Sequence, residues 1–162
     1  MGPRAMKARV AAQYVTTVPD PTFTATYGRG YVFAQLDQTE VALETRFNFT
    51  FTPGLTLETY AQPLVSAGDY GDLRYLEAPG TYDFAPYTAM NFSPDFNFRS
   101  LRGNAVLRWE WQPGSNIYIA WQQRRSVYEP IGDFDFDRDM RALFDASPDN
   151  IFLIKVSYWI SP

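Results

Sequence analysis

The sequence TEVALETRFNFTFT, residues 39–52, alternates between apolar and polar side chains with a period of two. One set of alternate positions is apolar except for Thr45, and it consists of Val41, Leu43, Phe47, Phe49 and Phe51. This period predicts a β-strand with one apolar face and one polar face. A run of this length is long for a strand of a water-soluble sheet, and it suits a tilted strand that crosses a membrane.

Two Pro-Gly pairs, Pro53-Gly54 and Pro113-Gly114, each separate two alternating stretches. The strands predicted beside these pairs are residues 39–52, 55–62, 101–112 and 115–125. The two hairpins are similar, which indicates an internal repeat of a hairpin unit. Because Pro-Gly favours a type II turn, which would splay a two-residue hairpin, we expect four-residue connections.

Three further strands and one helix complete the predicted elements. The last strand, residues 150–160, is apolar on nearly both sides, and residues 9–18 and 27–36 predict two strands near the start. We expect Asp137 or Asp139 to cap a short helix near 137–145. The predicted fold class is therefore all-β, an antiparallel up-and-down meander with one short helix, and residues 1–162 form a single unit.

The connections differ in length in a way that is typical of outer-membrane β-barrels. Tight turns alternate with long connections at 63–98 and 126–149, as short periplasmic turns alternate with long extracellular loops in such barrels. An aromatic girdle is expected at the membrane boundary, from Phe49, Phe51, Trp109, Trp111 and Trp121. Roughly five to seven strands are fewer than a small barrel needs, so either further strands lie upstream in a longer protein or the sheet stays open.

The composition argues against several classes of function. With no His and no Cys, neither a conventional catalytic triad nor a thiolate metal site can form. The net charge of −4, with scattered basic residues, argues against nucleic acid as a partner. No apolar run has the length of a transmembrane helix, and residues 1–18 lack the apolar core of a secretory signal. We expect neither an enzyme nor a cofactor.

Local motifs carry a resemblance to a known family. They are YVFA (31–34), LDQT (36–39), FTPGLTL (51–57), YAQP (60–63), GDY (68–70), VLRWEW (106–111), PGS (113–115), WQQ (121–123) and DNIFLIKVSYW (149–159). From about residue 15 to 160 the chain resembles the bacterial domain-of-unknown-function family 5916. The resemblance implies the end of an outer-membrane barrel that follows a carbohydrate-binding module, and that module is absent from these residues. It implies no mechanism and no ligand contact.

Charged side chains fall on the strand faces that a closed barrel would turn inward: Glu44, Arg46, Glu58, Arg102, Arg108 and Glu110. One interpretation is a lining whose opposed charges select what passes through. The other is a salt-bridged interior that fills a narrow barrel, and it is favoured because barrel interiors are polar by default. Paired carboxylates such as Glu44 and Glu58 suit acid–base chemistry, but nothing distinguishes them from ordinary interior acids.

Two loops offer further candidates. The predicted loop at 68–98 combines rings with acids, which suits glycan contact and equally suits a loop that folds on itself. Its candidate contacts are Tyr70, Tyr75, Tyr82 and Tyr87. Asp133, Asp135, Asp137 and Asp139 alternate as at the start of an EF-hand loop, but Arg138 replaces the required glycine. We therefore predict no metal site.

Together these patterns and the resemblance predict strands of a bacterial outer-membrane β-barrel that serves passage or surface display, and the resemblance implies a link to carbohydrate-binding proteins. Its expected partners are the lipid bilayer, upstream barrel strands and, through the long loops, glycans. The alternative is a soluble β-sheet module that binds glycans, whose aromatic face packs against a second sheet or a helix. Burial of Phe47, Leu107 and Ile119 in a compact core would contradict the membrane interpretation.

Overall fold

A computed structural model describes residues 3–22 and 27–160, which form one antiparallel sheet with one α-helix. The elements are β1 (Arg4–Pro19), β2 (Arg29–Ala42), β3 (Thr45–Thr52), β4 (Leu55–Leu76), β5 (Phe84–Pro86), β6 (Phe96–Gln112), β7 (Ser115–Glu129), α1 (Phe136–Asp145) and β8 (Asp149–Ser157). The sheet order is β1-β2-β4-β6-β7-β8, and β3 and β5 also pair with β4. The predicted all-β antiparallel meander is confirmed, and the sheet is open.

Strand β4, with 22 residues, is the longest and lies at the centre of the sheet. Along one edge it pairs first with β3 and then with β2, and along the other it pairs with β6 and β5. Strands β2 and β3 therefore follow one line that is interrupted at Leu43 and Glu44. At this break the Leu43 N–H donates to the carbonyl of Pro63 at 3.1 Å. Because Pro63 has no N–H, the reciprocal bond of this pair is missing, which explains why the predicted strand at 39–52 is interrupted.

Much of the long connection predicted at 63–98 belongs to strands. Strand β4 continues to Leu76 and β6 begins at Phe96, while β7 extends to Glu129. The sequence pattern missed the second half of β4 because this part of the strand is buried on both faces. Val65, Ser66 and Ala67 are successive residues and are all buried, so no alternation between apolar and polar side chains marks them.

The two hairpin turns are tighter than predicted. Thr52 pairs directly with Leu55, and Gln112 pairs directly with Ser115, so each connection has two residues. In each hairpin the register shifts just before the turn, so the first strand of the hairpin has one extra residue, a β-bulge. Such a bulge increases the local twist, so it accommodates a turn that would otherwise splay the strands. The predicted four-residue connections are therefore wrong.

The strand register sorts side chains into rows that cross the sheet. One row contains Phe49, Leu57, Leu107, Ile119 and Ile154, each directly opposite the next. We call the face that carries this row the apolar face and the opposite one the polar face. Paired residues of antiparallel strands point to the same side, so the predicted separation into two faces extends across β3 to β8.

The apolar face is largely uncovered. Phe47 is 55% exposed and Ile119 is 40% exposed, and Leu107 is only partly buried. The buried apolar side chains lie instead at the end of the sheet away from the Pro-Gly turns. They are Val32, Ala34, Leu36, Val65 and Ala67 on the sheet and Leu143 on α1.

Strand β8 is an edge strand with exposed side chains on both faces. Its outer edge pairs with no other strand among the described residues, and the same holds for the outer edges of β1 and β3. Its exposed apolar residues are Ile151, Phe152, Leu153, Ile154 and Val156. This sheet therefore has open edges on both sides.

Replacement of Gly54 by alanine is expected to destabilise the sheet. A Cβ at this position would lie 2.7 Å from the Glu110 carbonyl oxygen, which is backbone and cannot move aside freely. Overpacking of this kind costs about 1–3 kcal/mol of unfolding free energy, to be measured by urea denaturation followed by tryptophan fluorescence. Gly71→Ala is the matched control, since its Cβ would make only ordinary contacts at 3.7 Å. Equal effects of the two substitutions would contradict the prediction.

Candidate functional site

The charged residues predicted to face a barrel interior lie on the polar face. Arg46 Nη2 contacts Glu44 Oε1 at 3.0 Å, and Arg108 Nη2 contacts Glu110 Oε2 at 3.2 Å. Each pair joins residues of one local segment, so neither pair ties two strands together. Exposed pairs of this kind contribute about 0–1 kcal/mol to stability.

Two of the predicted interior charges have no ion-pair partner within the described part of the chain. Glu58 lines a polar groove with Arg46, Asn48, Tyr60 and Asn104. Arg102 lies opposite Arg124 of β7 and Gln62 of β4. The polar face thus combines paired and unpaired charges, and it is not filled by a continuous salt-bridge network.

The five residues predicted as an aromatic girdle belong to ring clusters around the apolar face. Phe47, Phe49 and Phe51 stack in sequence with ring centroids 6.3 and 6.4 Å apart. The ring centroids of Trp109 and Trp111 lie 6.5 Å apart, beside the second Pro-Gly turn. Phe51 and Trp111 are the bulge residues of the two hairpins, so both clusters end at the turns.

Trp121 lies on the same face but further from the turns, in the row of Phe47 and Ala105. Its ring stacks on Phe152 at 6.4 Å, and its Nε1 donates to Asn150 Oδ1 at 2.9 Å. Gln123 Nε2 donates to the same oxygen at 3.1 Å. Polar groups therefore replace rings on β7 and β8 directly beyond Trp121.

A buried charged cluster lies further along the same face, under helix α1. Arg99 Nη2 contacts Asp139 Oδ1 and Glu129 Oε2, each at 2.8 Å, and the side chains of Arg99 and Asp139 are fully buried. Asn97 Nδ2 donates to Asp139 Oδ2 at 3.1 Å. The sequence analysis missed this cluster, although Asn97 and Arg99 interrupt the apolar positions of β6 and so gave a signal.

Helix α1 begins with a different cap from the one predicted. Asp135 is the N-cap, and its Oδ1 accepts a hydrogen bond from the Arg138 N–H at 2.8 Å. Asp137 and Asp139 lie in the first turn, where the helix dipole stabilises negatively charged carboxylates. Asp133 pairs with Arg138 at 2.6 Å. In the part of the chain that the structure describes, no group of three or more Asp, Glu, His or Cys side chains is arranged to hold a metal ion.

The surroundings of Asp139 affect its ionisation. Burial raises the pKa of this carboxyl group, but hydrogen bonds from Asn97, Arg138 and the Asp135 backbone, together with the charge of Arg99, lower it. The net effect is a lowered pKa, so the ionised form is favoured in the folded protein.

The predicted loop tyrosines have different positions. Tyr70 and Tyr75 lie on β4, not in a loop, because that strand continues to Leu76. Tyr70 packs against Phe96, and the Tyr75 hydroxyl donates to Asp20 while its ring stacks on Tyr87. Tyr82 is 90% exposed in the connection between β4 and β5.

An open cleft of about 740 Å³ lies beside β4 and β5. It is lined by Gln35, Gly71, Asp72, Leu73, Arg74, Phe84, Pro86, Tyr87 and Thr88. The Arg74 guanidinium lies over the Phe84 ring, 5.8 Å from its centroid. Of the four predicted tyrosines, Tyr87 alone is among these lining residues, so the structure does not bring the predicted contacts together in one site.

A family model described as "Domain of unknown function (DUF5916)" matches residues 5–161 of this chain. The chain belongs to this family. The resemblance that the sequence motifs indicated is thereby confirmed for DUF5916. Neither the curated proteins nor the solved structures give a match to this DUF5916 chain. Among the described residues of this family member, no helix has the length and apolar character needed to cross a membrane.

Removal of the Asp139 carboxylate is expected to destabilise the DUF5916 chain strongly. Asp139→Ala removes the buried charge partner of Arg99 and leaves it only the partly exposed Glu129. Loss of a buried partner of this kind costs about 3–5 kcal/mol of unfolding free energy. Asp137→Ala is the control, because Asp137 is exposed in the same helical turn and its loss costs about 0.3–1 kcal/mol. Chemical denaturation measures both values, and comparable losses would contradict the assigned role.

The same pair of proteins tests the lowered pKa of Asp139. A lowered folded-state pKa adds stability above the unfolded-state pKa of about 3.9, and this stability is lost as the pH falls through the folded-state value. We expect the unfolding free energy of the unsubstituted protein to fall more steeply below about pH 4 than that of Asp139→Ala. Parallel curves would show that Asp139 makes no such contribution.

Proposed function

We propose that this chain forms strands of a bacterial outer-membrane β-barrel that serves passage or surface display. The observation that carries the proposal is the exposed apolar face, on which Phe47, Phe49 and Phe51 stack without cover. Contiguous exposed rings on three neighbouring rows are costly in water, whereas a lipid environment accepts them. The opposite face carries charges that suit an enclosed aqueous interior.

The height of the apolar face supports this proposal. On β6 it extends from Trp111 beside the turn to Leu101, and Arg99 and Asn97 follow on the same face. About ten residues at ~3.3 Å each, tilted by ~40°, cover ~25 Å along the membrane normal, which is the height of the apolar band of outer-membrane barrels. Tryptophan rings at the turn end suit a membrane–water boundary.

The open edges also belong to the proposal. Backbone groups at an unpaired strand edge are costly in lipid, so barrels close. Strand β1 pairs with β2 as far as Arg4, which lies opposite Ala42 at the end of β2. A segment that continued β1 upstream of Arg4 would therefore run along the outer edge of β3. We therefore include upstream strands in the proposed barrel, with β8 pairing on its outer edge.

A second candidate function, glycan binding, is favoured by the cleft beside β4 and β5. Phe84 and Tyr87 supply rings there, and Gln35, Asp72 and Arg74 supply hydrogen-bonding groups. Rings bind the apolar faces of sugars, and such polar side chains bond their hydroxyl groups. This cleft lies far from the Pro-Gly turns, so glycan binding is compatible with a barrel as well as with a soluble module.

Lysine substitutions on the two faces distinguish a membrane barrel from a soluble module. Ile119→Lys places a charge at the centre of the apolar face, and this is expected to cost about 2–4 kcal/mol in lipid. Gln122→Lys, an exposed position on the polar face of the same strand, is the matched control and is expected to be tolerated. The measurement is the amount of folded, heat-modifiable protein in the outer-membrane fraction.

In water both substituted positions are already solvent-accessible, so a soluble module would tolerate both lysines. Recovery of both variants as soluble protein without detergent would contradict the barrel proposal. The barrel proposal would be supported if Ile119→Lys, and not Gln122→Lys, reduced the amount of folded protein in the outer-membrane fraction.

For the glycan candidate, Phe84→Ala and Tyr87→Ala are each expected to weaken oligosaccharide binding by about tenfold, which corresponds to ~1.4 kcal/mol. Tyr82→Ala removes an exposed ring outside the cleft and is expected to leave affinity unchanged. Isothermal titration with a panel of soluble oligosaccharides measures all three variants. Equal affinity of the Phe84 and Tyr82 variants would remove the cleft from consideration.

A further inference from the structure

Helix α1 crosses the apolar face from the junction of β2, β3 and β4 to β7. Near its start, Phe136 and Met140 line a groove with Leu43 and Pro63 at the junction of β2, β3 and β4. Near its end, Arg125 of β7 donates to the carbonyls of Phe144 and Ala146. About ten helical residues at ~1.5 Å each span the three strand spacings, ~14 Å, that separate β2 from β7. If the strands cross a bilayer, the helix lies along its surface.

Three apolar side chains of α1 are not buried, namely Phe136, Met140 and Phe144. Leu143 and Asp139 are the buried residues of the helix, whereas Phe136 is 53% exposed and Phe144 is 55% exposed. With 3.6 residues per turn, Phe136, Met140 and Phe144 follow one side of the helix. The remaining circumference is charged, with Asp137, Arg138, Arg141 and Asp145.

This apolar side of α1 faces the exposed part of the sheet. Leu43, Pro63 and Leu101 are in one row of the apolar face. One row of small side chains, with Thr45, Ala61 and Gly103, separates it from the first row that carries rings. The groove between that row and Phe136 is about 180 Å³ in volume and lined by apolar residues alone: Pro3, Val41, Leu43, Pro63, Leu64, Val65, Phe136 and Met140. On β4 and β6 only the small residues Ala61 and Gly103 lie between this groove and the rows that carry the rings.

We infer that α1 is an interfacial helix whose Phe136, Met140 and Phe144 contact lipid acyl chains at the outer boundary of the bilayer. This inference rests on the proposed barrel and adds a lipid-binding element to it. An amphipathic helix in such a position buries its apolar side at the boundary between headgroups and acyl chains. The buried Arg99–Asp139 pair fixes α1 at this height, directly beyond the apolar rows.

Spin labels on single cysteines test the inference in the natural polypeptide folded into phospholipid vesicles. Residues 1–162 contain no Cys, and any cysteine elsewhere in the polypeptide is replaced. Labels at Phe144→Cys and Phe136→Cys report on the apolar side of α1, and a label at Arg141→Cys reports on its charged side. A label at Ile119→Cys reports on the apolar face of the sheet. Both phenylalanines are exposed, so their loss leaves the packing of α1 intact.

Collision with oxygen, which concentrates in lipid, is compared with collision with a water-soluble nickel chelate. Labels at 136, 144 and 119 are expected to collide with oxygen often and with the nickel chelate rarely. The label at 141 is expected to collide with the nickel chelate often and with oxygen rarely. Nickel contact at 144 with protection at 119 overturns the inference and leaves the barrel proposal standing. Nickel contact at 119 overturns both. Exclusion of both probes at 144 shows a protein cover and also overturns the inference.

Discussion

Strand β4 forms backbone hydrogen bonds along both of its edges, and four other strands take their alignment from it. This ladder fixes the register in which Leu57 faces Phe49 on one side and Leu107 on the other. A slip of one residue would move every ring of one strand to the opposite face. Both the exposed apolar rows and the charged polar face therefore depend on this one set of bonds.

The elements of period two were predictable from the sequence, and so was the separation of faces. The row that contains Phe49 and Ile119 follows from alternation and from the position of each Pro-Gly pair, because antiparallel pairing across a short turn leaves little freedom in register. Family membership was likewise evident from local motifs. The extent of β4 beyond Pro63 was not predictable, because burial on both faces removes the alternation that a strand otherwise shows.

The contacts of the buried cluster could not be predicted for a different reason. Arg99 and Asp139 are 40 positions apart in the sequence, and their contact depends on how the connection after β7 returns across the sheet. The cap at Asp135 was missed because several aspartates precede α1 and local preference does not choose among them. Tyr75 was expected in a loop, but its position follows from the unpredicted half of β4.

Strand β8 has a consequence for how the polypeptide behaves before it reaches its final surroundings. Four consecutive residues, Ile151 to Ile154, are apolar and exposed, and the outer edge of their strand pairs with no other strand among the described residues. An apolar strand with a free edge is a template for stacking of identical chains into fibril-like aggregates. We therefore expect a newly made chain to aggregate unless this last strand is paired at once or is held by another protein.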